Sequence, residues 1–546
     1  MRANAPAELA GPRGGPDAAP GGLRPWHAPL EVGLIFLLFF LLAGWLPPDV
    51  NEAHYLSKAR HYWQPDWCAR DVFLESADAH VVFYWTFGWL TRWLSLPATA
   101  WVGRLLTWLL LAWSWRRLSV ALIPRPLAAV LTAALFIPLQ QGGQMAGEWV
   151  VGGVEAKGLA YVLVWLGLEA LVRGRWGWSW IGFGAASAFH VLVGGWSVVA
   201  GLVAWLLAGR GRPALVGMLP GLALGGLLSL PGLLPTLALN AGLDAETIRQ
   251  ANHIYVYGRL THHRVFPDFQ AQRILAHGVL LALWGGTAWL QRHDAAQRRL
   301  HRFVAGTVVI AAVGVVLSLL PPSPISAALL RFYWFRLSDA MVPLGAALGL
   351  AATIVGWRET SRKKLGTMLL AISILLPAVF FVRHSLRQQR DLRPPAVKQN
   401  RPARSLAPRQ RWAVYQDWVR LGQWIRQNTE PDAVFITPRM QQTFHWFAER
   451  AEVACWKDVP QDAKSMVAWW ERMRTLYPPE VLERGLVAHG ERSLRELARR
   501  FGAEYVILDR TISRRPLGLQ RVYPTTADPN ASFEVYRVVH DDDFPG

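Results

Sequence analysis

Apolar residues in this chain gather in long runs that short polar and basic segments separate. A helix needs about 20 apolar residues to cross a bilayer, and runs near that length predict transmembrane helices. The predicted helices lie near residues 29–46, 99–115, 126–141, 158–173, 177–191, 194–209, 213–238, 273–290, 303–320, 332–356 and 365–382. The pattern predicts a membrane all-α fold with about eleven transmembrane helices.

The segment 81–96 is apolar, but it is short and aromatic and contains Arg92. Its residues Trp85, Trp89 and Trp93 recur every four positions, so one face of a helix would carry all three. An aromatic face with a charged residue suits the headgroup region. We therefore predict that this segment lies in the interface and does not span.

Basic residues cluster in alternate loops once 81–96 is placed in the interface. Five such loops then share one side of the membrane: Arg116/Arg117/Arg125, Arg173/Arg175, Arg210/Arg212, Arg292/Arg298/Arg299/Arg302 and Arg358/Arg362/Lys363/Lys364. Lys and Arg accumulate in cytoplasmic loops. The bias therefore predicts a multi-pass protein of a bacterial inner (cell) membrane whose C-terminal part is outside.

The chain divides into four parts by composition. Residues 1–28 form an Ala-, Gly- and Pro-rich tail expected to be disordered, and 29–382 form the transmembrane domain, with a large first outer loop at 47–98. A basic, Pro-containing linker follows at 383–411. Alternating helix and strand patterns then predict a small soluble α/β domain at 412–546, with strands in DAVFITPR, AEVACWKD, AEYVILD and FEVYRVV.

Charge and cysteine content exclude other classes of protein. The net charge is +19, but the basic residues lie between apolar runs and not on one soluble domain, so a nucleic-acid partner is excluded and lipid headgroups are expected. The two cysteines exclude a disulfide framework and a Cys-rich metal site. A single bridge between Cys68 and Cys455 stays open, since both are predicted to lie outside.

Two acids begin the first outer loop. Asp49 and Glu52 are three positions apart, so a helical turn places them on one face. Acids near lipid are costly and often functional. The alternative is structural: Asp49 or Asn51 caps the next helix and Glu52 lies in its first turn.

The stretch NEAHYLSKARHYW after the first apolar run resembles the GT-C superfamily of polytopic membrane glycosyltransferases. It is similar to the acid-Glu-x-x-Tyr-x-x-x-Ala-Arg pattern of the protein mannosyltransferase and aminoarabinose transferase branches, with Asn51 where those branches often show Asp. The resemblance implies a GT-C-like fold and a polyprenyl-phosphate-sugar donor. It also implies that an outer-loop acid is the general base, with Glu52 first and Asp49 beside it.

A second match to that superfamily follows the third helix, in LFIPLQQGGQMAGEWVVGGVEAKGLAYVLVW. The family places an acid before the next helix, and Glu155 takes that position, with Glu148 as the weaker choice. The structural alternative is an interfacial pair of Glu155 with Lys157.

Cations in later outer loops suit a phosphate headgroup. Arg259, His262 and His263 lie together in ANHIYVYGRLTHHR, and Arg331 and Arg336 flank RFYWFR. Arg binds phosphate bidentately, and arginines at membrane depth need an anion or a water-lined cavity. His54 completes the predicted substrate-binding set. Adjacent histidines without a third ligand disfavour zinc, so we expect no metal and no cofactor.

Together these features predict inverting transfer of a sugar from a polyprenyl-phosphate lipid to an unknown extracytoplasmic acceptor. Two alternatives remain, a polytopic transporter and a non-catalytic GT-C-shaped envelope scaffold. A transporter predicts internal repeats and charges near the midplane. The charged residues here lie at outer helix ends, which favours the enzyme.

Overall fold

The computed structural model describes residues 22–399, 405–526 and 528–538. Its α-helices are α1 His27–Ala43, α2 Glu52–Trp63, α3 Val81–Trp85, α4 Leu96–Leu122, α5 Ala128–Gly143, α6 Ala156–Val172, α7 Trp176–Phe189, α8 Val191–Leu206, α9 Leu215–Ala238, α10 Ala245–His253, α11 Thr261–Arg264, α12 Ala271–Leu290, α13 Ala295–Ser318, α14 Pro324–Leu330, α15 Arg336–Arg358, α16 Lys363–Gln389, α17 Pro408–Asn428, α18 Phe444–Ala448, α19 Ala463–Leu476, α20 Pro479–Arg484 and α21 Gly490–Phe501. Its strands are β1 Val434–Ile436, β2 Ala451–Glu452, β3 Tyr505–Asp509, β4 Gln520–Tyr523 and β5 Phe533–Arg537.

Each apolar run that predicted a transmembrane helix is helical in the structure. Within the described residues, six helices are long and apolar enough to cross a membrane, namely α4, α9, α12, α13, α15 and α16. Helices α1, α5 and α8 are apolar but shorter, and α6 and α7 lie at two further predicted runs. The fold is therefore mostly helical and of a multi-pass membrane type, while the count of eleven spans stays a prediction.

The basic loops that share one predicted side also meet in space. Arg125 binds Glu359 at 2.6 Å. Arg299 donates to the Val172 carbonyl oxygen, with its Nη2 at 2.6 Å. These contacts join the loop after α4 to the loop after α15, and the start of α13 to the end of α6. Which compartment these loops face stays a prediction.

The segment 81–96 is not one continuous helix. It consists of the short α3 and a 3-10 helix over Gly88–Arg92, and α4 begins at Leu96 behind the N-cap Ser95, whose hydroxyl accepts from the Ala98 amide. Trp85, Trp89 and Trp93 are all exposed, as a lipid-facing stripe requires. Neither piece is long enough to span, and the interfacial position stays a prediction.

The C-terminal part forms a mixed sheet with strand order β2-β1-β3-β5-β4. Strand β1 is parallel to β2 and β3, whereas β5 is antiparallel to β3 and β4. Strand β4 was not anticipated, because its residues are exposed or half-buried and carry little apolar signal. Helix α21 ends where Gly502 adopts φ +65°, a conformation that Gly accepts without a steric penalty.

The first outer loop packs against this C-terminal domain. Cys68, Phe73 and Leu74 are buried in the same apolar cluster as Trp469 of α19. The predicted linker is shortened at both ends, since α16 runs to Gln389 and α17 begins at Pro408. Cys68 and Cys455 are both free and buried, and most of the predicted disordered tail lies outside the described residues.

Candidate active site

Two acids of the 47–98 loop hold the loop between α5 and α6 in place. One Asp49 carboxylate oxygen accepts from the Gly153 amide at 2.6 Å, and Glu52 accepts from the Val154 amide at 2.8 Å. Glu52 is fully buried, and its Oε1 also accepts from Nε of Arg104 at 2.6 Å. Neither acid lines the cavity described next. The geometry gives both acids a structural position, with their oxygens already occupied.

A cavity of about 470 Å³ lies beside this junction. Its wall combines helix ends of the bundle, both outer loops and the C-terminal domain: Asn51, His54, Tyr55, Ala79, His80, Glu155, Lys157, His190, Val191, Leu192, Leu233, Thr236, Leu237, Leu239, Asn240, Tyr255, Arg259, Leu260, Arg331, Phe332, Tyr333, Arg336, Lys457, Val459 and Gln461. Five predicted site residues from separate parts of the sequence therefore meet here: His54, Glu155, Arg259, Arg331 and Arg336.

Among the described residues, Glu155 is the one carboxylate on this wall. It precedes α6, where the Asn51 amide donates to its Oε2 at 3.0 Å and the Trp149 indole donates to its Oε1 at 3.1 Å. The ammonium of Lys157 is 3.6 Å away. Burial raises the pKa of Glu155, although Lys157 and Asn51 oppose the shift. A buried carboxylate with a raised pKa at a cavity wall can accept a proton.

Arginines and lysines supply the positive charge of the wall. Arg336 pairs with Glu148 at 3.3 Å and donates to His190 Nε2 at 2.7 Å. Arg331 donates to the Asn252 side chain at 2.8 Å. The wall carries five cationic side chains against one carboxylate, so the cavity favours an anion.

Lys457 brings a cation of the C-terminal domain to the same wall. Burial and the nearby Arg259 lower the pKa of Lys457 to about 8, which leaves the group mostly charged at neutral pH. Arg259 donates to the Trp456 carbonyl oxygen at 2.9 Å and its guanidinium lies 4.8 Å from the Trp456 ring. These contacts hold the C-terminal domain against the cavity wall.

Two local backbone irregularities aim side chains into the cavity. A π-helical turn over Ile254–Arg259 follows α10 and presents Tyr255 and Arg259, and such turns recur at functional sites. Tyr333 has φ +51°, a conformation that a bulky residue rarely adopts.

One side of the cavity is apolar and opens on α9. Leu233, Leu237 and Leu239 line it, and Leu237 is 66% exposed on the outer surface of the same helix. Helix α9 is one of the six that can span a membrane. The cavity therefore joins a cationic wall to an exposed apolar helix that is long enough to span a membrane.

The two histidines predicted for phosphate binding lie elsewhere. His262 is exposed, whereas His263 is half-buried and pairs with the Ala146 carbonyl oxygen. Neither lines the cavity. His54 does, and its Nδ1 is 3.0 Å from the Asp458 carboxylate.

Four further residues line the cavity although their sequence context did not predict it, namely His80, Tyr255, Tyr333 and Lys457. For Tyr333 the aromatic RFYWFR segment was the available signal. Tyr255 lies in the ANHIYVYGRLTHHR stretch beside Arg259. His80 and Lys457 lie in stretches whose composition resembles that of ordinary loops, so only packing brings them to the wall.

Residues 416–476 match the model of a family described as a domain of unknown function (DUF6798). No curated protein matches the chain. Among solved structures, the chain is similar to an Archaeoglobus fulgidus oligosaccharyltransferase in complex with Zn and sulfate, at 13% identity and a TM-score of 0.42, over 87% of this chain and 67% of that one. It is also similar to the archaeal oligosaccharyltransferase AglB from Archaeoglobus fulgidus with an inhibitory peptide and a dolichol-phosphate, at 11% identity and a TM-score of 0.44, over 88% and 69%. The family match covers only part of the C-terminal domain.

Proposed function

We propose that this chain is a GT-C-like glycosyltransferase that moves a sugar from a polyprenyl-phosphate donor to an acceptor at the outer surface. One observation carries the proposal. A single cavity combines one buried carboxylate, five cations and an apolar wall that continues onto the exposed face of α9. The resemblance of NEAHYLSKARHYW to the superfamily supports the same conclusion.

The polar half of the cavity suits the donor's phosphate. Arg331 lies just after α14 and Arg336 at the start of α15. Arg259 from the turn after α10 and Lys457 from the C-terminal domain line the same cavity. Guanidinium groups pair bidentately with phosphate oxygens. They also stabilise the charge that grows on the leaving phosphate as the glycosidic bond breaks. No metal is needed for that neutralisation.

The apolar half suits the polyprenyl chain. A lipid tail is not stabilised by contact with charged side chains. A donor that carries both a phosphate and a lipid tail therefore needs a cavity with an apolar opening toward the hydrocarbon. Leu233 and Leu237 provide that opening on α9. The donor then lies with its phosphate among the arginines and its tail along α9.

Glu155 is the base in this proposal. It takes the proton from the acceptor hydroxyl, the hydroxyl oxygen bonds to the anomeric carbon, and the bond to the phosphate oxygen breaks, which inverts that carbon. Glu52 is a weaker choice, because both of its oxygens already bind Arg104 and it does not line the cavity. Both carboxylate oxygens of Asp49 likewise have partners, because they accept from the backbone amides of Val50 and Gly153.

The soluble domain closes one side of this site. Lys457, Val459 and Gln461 come from its loop between β2 and α19. Their position supports a role in acceptor recognition or as a lid over the donor. Because Lys457 is among the cations, removing the domain should weaken donor binding as well as acceptor use.

The test is sugar transfer in proteoliposomes from a panel of polyprenyl-phosphate sugars. Glu155→Gln keeps the shape of the side chain and removes its basicity, and loss of a general base lowers turnover by about 10²–10⁴-fold. Glu471→Gln removes an exposed carboxylate on α19 and serves as the matched control. Wild-type turnover by Glu155→Gln would reject Glu155 as the base. A wild type that binds the lipids and transfers no sugar would favour the scaffold or the transporter.

A further inference from the structure

Three ligand-type side chains converge in the interior of the C-terminal domain. The Nδ1 atom of His445 is 3.8 Å from Glu452 Oε1 and 4.0 Å from Asp458 Oδ2. All three residues are buried, and one atom from each lies within 4.8 Å of the other two. They come from α18, from β2 and from the loop that follows β2, so the fold assembles the cluster.

The outer contacts of these side chains hold their ligand atoms toward one another. His445 Nε2 donates to the Asp71 carboxylate at 2.7 Å, which leaves Nδ1 free to face inward. The hydroxyl of Thr437 donates to the second oxygen of Glu452. His54 binds the other oxygen of Asp458 at 3.0 Å. A carboxylate behind a ligating histidine is the usual second contact of a protein metal site.

One atom of the cluster has no hydrogen-bond partner. Glu452 Oε1 is buried and unsatisfied, and Glu452 is only 2% exposed. A buried polar atom without a partner is costly to the fold, and a bound cation would satisfy it. Asp71, Glu452 and Asp458 also place three carboxylates around one imidazole, so the cluster lacks positive charge.

A divalent cation would supply that charge in one step. It would also bind the Glu452 Oε1 atom, which has no hydrogen-bond partner and lies 3.8 Å from His445 Nδ1.

We propose that His445, Glu452 and Asp458 bind one divalent transition-metal ion of the zinc class. A tetrahedral zinc separates its ligand atoms by about 3.4 Å. The observed 3.8 and 4.0 Å separations need a closure of less than an ångström, which side-chain movement provides. One imidazole with two carboxylates suits zinc better than calcium or magnesium, and the fourth position is left for water.

The ion would join the first outer loop to the C-terminal domain. Asp71 and His54 belong to the first outer loop and hold His445 and Asp458, and Lys457 beside Asp458 lines the cavity. Binding would thus stabilise the wall of the cavity without touching its contents. The metal site stands on its own residues and does not depend on the proposed glycosyltransferase activity.

The test measures zinc binding to the purified chain in detergent. The protein is stripped with a chelator and titrated with Zn²⁺ alone, with bound zinc quantified by mass spectrometry. Wild type should bind about one zinc ion per chain tightly. Asp71→Asn removes the carboxylate that accepts from His445 and from the Glu452 amide, and leaves all three proposed ligands in place. It should weaken binding by about 10–100-fold, and Glu452→Gln should weaken it further.

Asp509→Asn is the matched control, since it neutralises a buried carboxylate of β3 that accepts from Thr511. It should bind zinc as wild type does. Zinc should also raise the thermal midpoint of wild type and of Asp509→Asn, and much less that of Asp71→Asn, which gives a readout if Glu452→Gln does not fold. No zinc bound by wild type, equal binding by Asp71→Asn and wild type, or equal affinity for Mg²⁺ would each overturn the proposal.

Discussion

Arg104 of α4 donates from Nε to Glu52 Oε1 at 2.6 Å, and its Nη2 donates to the second oxygen of the same carboxylate. Both side chains are fully buried. Breaking a buried ion pair leaves one charge without compensation and costs about 3–5 kcal/mol. Glu52 was predicted to be the catalytic base. In the structure both of its carboxylate oxygens pair with Arg104, which gives Glu52 a structural role instead.

Glu52→Gln should therefore lower the stability of the protein by about 3–5 kcal/mol, because the Arg104 charge stays buried. The double variant Glu52→Gln with Arg104→Gln should lose less than the sum of the single losses, since no charge is left unpaired. Thermal unfolding in detergent measures both. A Glu52→Gln protein that unfolds like wild type but transfers no sugar would restore Glu52 as the base.

As the pH is lowered, the activity should be lost at a pH above the pKa of an exposed glutamate. Burial raises the pKa of Glu155, Asp49 and Glu148 add to that shift, and Lys157 and Asn51 oppose it. A base works only when ionised, so turnover is present above that pKa and is lost as the pH falls through it. The pH profile of kcat measures this. An acid limb at about 4.3, the value of an exposed glutamate, would contradict the prediction.

The same shift has a consequence for stability. The folded state holds the Glu155 proton more tightly than the unfolded chain, so this group's contribution to stability falls as the pH rises above about 4.3 toward the folded pKa. Glu155→Gln should remove the Glu155 contribution to the pH dependence of the free energy of unfolding. Thermal midpoints of wild type and variant across mildly acid pH measure it. Parallel curves for the two proteins would contradict the prediction.

Arg331→Gln should weaken binding of a polyprenyl phosphate by about 10–100-fold, because a hydrogen bond to a charged group contributes about 1.5–3 kcal/mol. Arg249→Gln is the matched control, since Arg249 is exposed on α10 and pairs only locally with Glu246. Binding to protein in nanodiscs at low and high salt measures the effect. Equal losses in both variants would indicate a general surface charge effect and not a phosphate contact.

A spin label at Trp93→Cys should report a depth near the headgroups, because the 81–96 segment is short and aromatic and its three tryptophans are exposed. Cys68 and Cys455 are buried, so the new thiol is the one that reacts. A label at Leu227→Cys on the exposed face of α9 gives the matched deep position. Equal depths at the two positions would reject the interfacial placement.

A phosphatase fused after Gly546 should be active in the extracytoplasmic space, because five basic loops predict the opposite side as cytoplasmic. A fluorescent protein that matures only in the cytoplasm should stay dark at the same position. Activity of the second reporter and not the first would move the cavity to the other face of the membrane.

Much of the secondary structure follows from local patterns. All the long apolar runs became helices, because burial or lipid contact over about 20 residues is a property of neighbouring residues alone. Strands β1, β2, β3 and β5 lie in the four stretches that predicted strands, although β2 covers only Ala451–Glu452 of AEVACWKD. Strand β4 was not, since its pairing with β5 depends on a partner that local composition does not reveal.

The chemistry of the acids was decided only by tertiary contacts. The sequence alone predicted Asp49, Glu52 and Glu155 in outer loops. In the structure, Arg104 near the start of α4 pairs with Glu52, whereas Glu155 lies on the cavity wall. His445, Glu452 and Asp458 lie six to seven positions apart and match no local metal motif. The sequence determines which stretches must avoid water, because hydrophobicity is local, whereas the partner of each buried charge depends on packing between segments that are distant in the chain.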